Sequence, residues 1–199
     1  MSKKALKQLS NDPLLKKAID SIDLVISKSN GDVYGSLIRS IISQQLSVKA
    51  ASTIYGRFLD LFENNYPHPE GVIQMEPETM RGVGLSRQKS SYIKNVASFF
   101  TEEKIIKKDW STQSDHDVIK TLTQIKGVGN WTVEMILMFT LDRPDVFPVD
   151  DLGIQQAMIA LYDIEAEKKE LKNRLIEISE QWRPYRTLAC RYLWEWKDQ

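Results

Sequence analysis

Apolar residues recur every three to four positions along nearly the whole chain, and no segment alternates apolar and polar residues as a half-buried strand would. A pattern of that kind admits helices packed on helices and little else. Asp12-Pro13 reads as an N-cap followed by proline at the first helical position, opening a helix expected to run to about Asn30-Gly31. Asp32 caps a second helix with Val33, Tyr34, Leu37, Ile38, Ile41 and Ile42 on one face, and Ser47 caps a third. Tyr66-Pro67-His68-Pro69 is expected to be a linker, followed by a short helix from Pro77 to Gly82. Ser86 opens a helix that buries Ile93, Val96 and Phe100, the polar stretch Thr101–Gln113 includes a loop, and Ser114 with Asp117 resembles a capping box. A further helix follows Gly129 to about Leu141. Val146-Phe147-Pro148-Val149 is extended, because the residue before a proline is pushed out of the helical region. Asp150-Asp151 opens the next helix, and two more cover Glu167–Ser179 and Pro184–Lys197. The expected fold class is all-α, with roughly ten helices and no long-period repeat.

Composition removes several classes of function. The 199 residues suffice for one substantial core or two small lobes. Cys190 is the only cysteine, so an intrachain disulfide, a structural zinc site and an iron–sulfur cluster are excluded; it is expected to be a half-buried helical hydrophobe. With only His68 and His116, no histidine-based metal centre is expected. No apolar run approaches the roughly 18 residues of a membrane span, and the basic start Met1–Ala5 has no apolar stretch behind it, so an intracellular, membrane-free protein is expected. The formal net charge is zero, which lends no global support to nucleic-acid binding; only a contacting face need be basic. Arg81, Arg87, Lys89 and Lys94 form a local basic run, although such runs are commonly plain solvated helix faces.

The segment from Leu122 to Thr132 has the form of a helix-hairpin-helix turn. Gly127 and Gly129 allow backbone conformations closed to other residues and leave no side chain in the way, while Val128 would pack between the two helices. Amide N–H groups at the start of the following helix can then meet a phosphate, aided by the helix dipole. Such contacts hold DNA without reading its sequence. Arg81-Gly82-Val83-Gly84 echoes Lys126-Gly127-Val128-Gly129, but only the second turn is followed by Trp131-Thr132 and a strongly apolar helix. By itself, a Gly-Val-Gly turn is equally compatible with a tight connection.

The hairpin, one helix, the extended Val146–Val149 approach and Asp150-Asp151-Leu152-Gly153-Ile154 together resemble the helix-hairpin-helix superfamily of DNA glycosylases. Ile42-Ser43-Gln44-Gln45-Leu46-Ser47-Val48-Lys49-Ala50-Ala51 and Trp182-Arg183-Pro184-Tyr185-Arg186 with Trp194 are similar to its alkylation-repair branch, 3-methyladenine DNA glycosylase II. The resemblance covers about residues 10 to 197, and matches members lacking the β-rich N-terminal domain of one bacterial subgroup. It implies two helical lobes with a catalytic cleft between them. Residues 1–31 with 130–199 would form a discontinuous lobe carrying the catalytic aspartate, and 32–129 a central lobe ending in the hairpin.

The resemblance also implies roles. Asp-x-x-Ile matches Asp151 to the catalytic position, with Asp150 in reserve; either could equally be a helix cap. Trp131 and Trp194 would be aromatic walls of a base pocket, although core packing is the ordinary use of a tryptophan. Met135 and Leu152 stand where the bacterial enzyme has aromatic residues, which leaves base preference open. Gly127, Val128, Gly129, Ser47 and Lys49 would face phosphate, while Gln44 and Gln45 would fill the gap left by a flipped nucleotide, Gln45 lying nearer the wedge. Trp131 occupies the place of the Schiff-base lysine of lyase-competent relatives, and Lys126 lies before the hairpin, so a monofunctional enzyme is implied. The expected substrate is double-stranded DNA containing alkylated purines such as 3-methyladenine, from which a monomer with no metal and no cofactor releases the base. A structural alkali cation at the hairpin is left open. The expected location is the cytoplasm of a bacterium or a eukaryotic nucleus. The alternatives are a glycosylase for oxidised or mismatched bases and a non-catalytic helix-hairpin-helix DNA-binding module.

Overall fold

In the computed structural model, residues 3–199 are described, and among them there are twelve α-helices and no strand. The helices are α1 (Lys3–Leu9), α2 (Pro13–Ser21), α3 (Val33–Ser43), α4 (Val48–Leu59), α5 (Pro69–Gln74), α6 (Pro77–Gly82), α7 (Arg87–Glu102), α8 (Asp115–Leu122), α9 (Asn130–Phe139), α10 (Leu152–Tyr162), α11 (Lys168–Glu180) and α12 (Arg186–Lys197). Among the described residues, no helix is long and apolar enough to cross a membrane. The all-α class expected from the periodicity is the class observed.

The chain divides into two units. One comprises residues up to Ser29 together with Leu137–Gln199, and the other comprises Asn30–Ile136. The second division falls inside α9 rather than at Gly129, where the sequence reading placed it. In the first unit, α12 packs on α10 and α2. Its core holds Leu9, Leu15, Ile154, Met158, Leu175 and Trp182, each fully buried. The Asp12 carboxylate is buried beside this core. Oδ1 of Asp12 caps α2, accepting from the Leu14 and Leu15 amides at 3.0 and 3.1 Å. Oδ2 accepts from the Tyr162 hydroxyl at 2.5 Å, Trp182 Nε1 at 3.0 Å and Gln181 Nε2 at 3.1 Å. Burial, reinforced by the Asp12 carboxylate, pushes the Tyr162 phenol far above its ordinary range, so it stays a donor at neutral pH.

In the second unit α7 packs on α3, α5 and α6, and α3 also packs on α4. The apolar face of α3 expected from its periodicity is entirely buried, from Val33 and Tyr34 through Leu37, Ile38, Ile41 and Ile42. Burying each such large apolar side chain contributes about 1.5–3 kcal/mol. The Tyr34 hydroxyl is satisfied by donating to the Pro67 carbonyl at 2.7 Å.

Five expected N-caps are observed: Asp12, Asp32, Ser47, Ser86 and Ser114 each accept a backbone N–H of the helix they open. Other expectations need correction. The helix opened by Asp12 stops at Ser21 instead of reaching Asn30-Gly31. Ile22, Val25 and Ile26 are β-branched and the neighbouring Asp23, Ser27 and Lys28 leave no apolar stripe, so the segment is not helical, with Val25 84% exposed. The expected linker at Tyr66–Pro69 ends by opening α5, with Pro69 at its first position. Helix α1 had no periodic signal long enough to be read. Cys190, expected to be half-buried, is fully buried in α12.

Candidate functional site

The path to Asp151 is fixed before the residue itself is reached. After α9 the chain turns at Arg143–Asp145, and the start of α12 holds that turn. Thr187 donates its amide to the Pro144 carbonyl at 3.0 Å and its hydroxyl to the Arg143 carbonyl at 2.6 Å, and it accepts the Val146 amide at 3.0 Å. Arg186 donates to the Asp145 carboxylate at 2.7 Å and to the Asp145 carbonyl at 2.8 Å. The Trp182–Arg186 signature thus holds the approach at two points: the Trp182 ring meets Phe147 edge-on at a centroid distance of 6.0 Å, and Arg186 binds Asp145. Further along, Gln155 Nε2 donates to the Val149 carbonyl at 2.7 Å, and the Asp151 amide donates to the Pro148 carbonyl at 2.9 Å.

Asp151 is the N-cap of α10 and only 9% exposed. Its Oδ1 accepts from the Ile154 amide and from the Trp194 indole Nε1, both at 2.9 Å. The capping expected of an aspartate here is therefore present, and it is joined by a second bond from a residue on α12. Gly153 makes that approach possible. A Cβ there would lie 3.0 Å from Trp194 Cδ1 and Nε1 and 3.1 Å from Asp151 Oδ1. Trp194 also meets the Phe139 ring at a centroid distance of 5.7 Å. The Arg191 guanidinium lies 4.6 Å over the Phe139 ring and donates to the Met138 carbonyl at 2.9 Å. Beside these rings is a cavity of about 490 Å³ lined by Leu24, Val25, Lys28, Phe139, Arg191 and Trp194 among others. Leu152, next to Asp151, is 65% exposed. Asp150 has a different setting: it is exposed and paired with Lys172 of α11.

The remaining expected residues lie in the second unit. The turn between α8 and α9 buries Leu122, Ile125 and Val128. The two glycines divide the work expected of both. Gly127 takes φ +105, and a Cβ there would sit 2.3 Å from Tyr92 Cγ, so it needs both the left-handed backbone and the bare Cα. Gly129 faces open space, leaving the start of α9 unobstructed. Asn95 of α7 donates to the Lys126 carbonyl at 3.0 Å, fixing the turn from the other side. On α9, Trp131 is 41% exposed and Met135, one turn on, is half-buried. Gln44 and Gln45 lie between α3 and α4. Gln44 is half-buried, and Gln45 is exposed and adopts φ +58. Ser47 caps α4 through the Ala50 amide at 3.3 Å, and Lys49 is exposed on the first turn.

Asp151, Trp194 and Leu152 thus come together in one unit, and the hairpin, Trp131, Met135 and the Gln44–Lys49 segment belong to the other. Sequence reasoning missed Gly153, Phe139, Arg191 and Lys89. Only Gly153 carried a local signal, as a helix-disfavouring residue in the first turn of an otherwise apolar helix. Among the described residues, no group of three or more His, Cys, Asp or Glu is arranged to hold a metal ion.

Comparison with known proteins places the chain in a family. Residues 38–182 match the family model of the HhH-GPD superfamily base excision DNA repair protein. DNA-3-methyladenine glycosylase 1 of Schizosaccharomyces pombe is 39% identical over 171 residues, 85% of this chain and 74% of that protein. The solved 3-methyladenine DNA glycosylase (Mag1) of the same yeast, in complex with abasic DNA, superposes with a TM-score of 0.82 at 37% identity, covering 97% of this chain and 96% of that one. A DNA-3-methyladenine glycosidase from Bacillus halodurans gives a TM-score of 0.81 at 36% identity, covering 98% and 88%. With its hairpin, its capped aspartate and these relatives, the chain belongs to the HhH-GPD superfamily of base excision DNA repair proteins.

Proposed function

We propose that this chain is a monofunctional DNA glycosylase that hydrolyses the N-glycosidic bond of alkylated purines, 3-methyladenine among them, in duplex DNA. The observation that carries the reading is the Asp151 carboxylate held at 2.9 Å by both the Ile154 amide and the Trp194 indole. Cleavage of the bond to C1′ develops positive charge on the sugar. A carboxylate fixed beforehand stabilises that charge without reorganising at the moment of reaction. The electron pair of the broken bond goes to the purine nitrogen, and water adds to C1′, giving its proton to the Asp151 carboxylate and from there to solvent. A purine methylated at a ring nitrogen is cationic, so it leaves as a neutral base and needs no protonation by a general acid. One carboxylate can therefore serve where ordinary glycoside hydrolysis takes two. The aromatic face of Trp194 favours a cationic base by about 0.5–2 kcal/mol. Asp150, tied to Lys172, is the weaker candidate.

The hairpin supplies the phosphate contact, and Gln45 the filling of the space a flipped nucleotide leaves. Gly127→Ala tests the first. A left-handed conformation disfavours an L side chain by about 1–2 kcal/mol, and the Tyr92 ring must also move. The expected result is about tenfold weaker affinity for undamaged duplex, the factor that about 1.4 kcal/mol represents. Gly82→Ala, whose Cβ meets nothing within 4 Å, serves as control and leaves affinity unchanged. Equal affinity of Gly127→Ala and wild type would remove the hairpin from the interface.

Trp131 cannot form a Schiff base, and Lys126 precedes the turn, which supports an enzyme of the alkylation-repair type II class without lyase activity. Incubation with methylated duplex DNA should release free 3-methyladenine and leave alkali-labile but uncut abasic sites. Borohydride should trap no protein–DNA adduct. A trapped adduct, or release of oxidised bases in place of methylated ones, would contradict the reading.

A further inference from the structure

Lys89 stands in a basic run that reads in sequence as a solvated helix face, yet its ammonium has two defined partners. The last carbonyls of an α-helix have no intrahelical donors. The usual remedy is a glycine in the left-handed region just past the end. At the end of α3 no glycine is present: Gln44 has φ −50 and ψ 128, and Gln45 carries a full side chain at φ +58. Lys89 Nζ takes over, donating to the Ile42 carbonyl at 2.8 Å and to the Gln44 carbonyl at 2.7 Å. One acceptor lies in the last turn of α3, and the other immediately precedes Gln45. A cation at the carbonyl end of a helix is also favoured by the helix dipole.

Lys89 is itself fixed. It lies in the first turn of α7, and its backbone amide donates to the cap residue Ser86 at 3.2 Å. Partial burial lowers the ammonium's pKa from its ordinary range, as expected for a cation turned towards protein carbonyls. The turn it holds presents Gln45, with the Leu46 amide donating back to the Ser43 carbonyl at 3.2 Å.

We propose that Lys89 is a positioning residue that fixes the left-handed turn at Gln45 and so sets how this loop fills the gap in duplex DNA after a nucleotide is flipped. The inference rests on the reading of Gln45 as the gap-filling residue. Lys89 touches no reacting atom, and its effect belongs to the duplex substrate, where there is a gap to fill.

The test compares wild type, Lys89→Met, Lys89→Arg, Gln45→Ala and the double variant Lys89→Met/Gln45→Ala. Three quantities are read: amide hydrogen exchange of residues 43–47 in the free protein, single-turnover release of 3-methyladenine from duplex and from single-stranded DNA of the same sequence, and affinity for undamaged duplex at several salt concentrations. Lys89→Met should speed exchange at Leu46. It should also lower the duplex-to-single-strand rate ratio about tenfold, the factor that loss of charge-assisted hydrogen bonds of ordinary strength represents. Lys89→Arg, which can also donate to two carbonyls, should restore most of the ratio. The double variant should be no worse than Gln45→Ala alone, because both act through one turn. The proposal is overturned if Lys89→Met keeps the wild-type ratio while Gln45→Ala lowers it, or if the two losses add. It is also overturned if the Lys89→Met loss is matched by weaker binding to undamaged duplex with a shallower salt slope, the signature of a phosphate contact. If Gln45→Ala itself leaves the ratio unchanged, the gap-filling premise fails, and exchange at Leu46 still reports separately whether Lys89 holds the turn.

Discussion

Asp151→Asn should keep the fold and lose about 10²–10³-fold in the single-turnover rate of base release, the scale seen when one preorganised electrostatic group is removed from an active site. The substitution is informative because so little else changes. Asparagine is as good an N-cap as aspartate, and its amide oxygen can still accept from the Ile154 amide and the Trp194 indole. What disappears is the negative charge opposite the developing sugar cation. Thermal stability should stay within about 1 kcal/mol of wild type, the range of an exchange between equivalent caps. Near-normal release by this variant would mean that the carboxylate is only a cap. The same substitution at Asp150 removes an exposed pair with Lys172 and should alter the rate by less than about fivefold, since exposed pairs contribute about 0–1 kcal/mol.

The second large effect concerns stability. Asp12→Ala should destabilise the unit formed by the chain's two ends by roughly 3–5 kcal/mol, combining a lost helix cap with buried donors left without an acceptor. The Trp182 indole N–H and the Tyr162 hydroxyl both point at Oδ2, and Trp182 is fully buried. For a chain of this size that is a fall in melting temperature on the order of 10 °C. Asp12→Asn keeps the Oδ1 cap but turns an N–H₂ group towards three donors, so it should recover only about 1 kcal/mol, the worth of the cap. Thermal or urea unfolding followed by circular dichroism and intrinsic tryptophan fluorescence measures both. A loss below about 1 kcal/mol in the alanine variant would show that the cap alone matters.

Helix starts were legible because N-capping is local chemistry. Asp12, Asp32, Ser47, Ser86 and Ser114 each bond an amide two or three residues along the chain. The α8–α9 hairpin and the Asp151 cap were legible for the same reason, since their residue types and spacing are contiguous. What escaped depends on partners distant in sequence. Asp12 reads as one more cap until Tyr162, Gln181 and Trp182 arrive from the far end of the chain. Trp194 was expected as a wall of the base pocket, but its indole bond to Asp151, which Gly153 makes room for, had no local signal. Arg186 was legible as part of a signature, but its partner, the Asp145 carboxylate, was not. The stop at Ser21 was missed because the turn signal at Asn30-Gly31 outweighed the β-branched residues before it.

The most direct test of the account is the affinity of wild type and Asp151→Asn for two duplexes that differ at one nucleotide. One carries a neutral tetrahydrofuran abasic site, and the other a pyrrolidine abasic site whose protonated nitrogen mimics the sugar cation. If Asp151 stabilises that charge, wild type should bind the cationic duplex at least about 10²-fold tighter than the neutral one, as transition-state mimics are bound, and Asp151→Asn should bind the two nearly alike. Equal affinity of wild type for both duplexes, or an undiminished preference in Asp151→Asn, would contradict it.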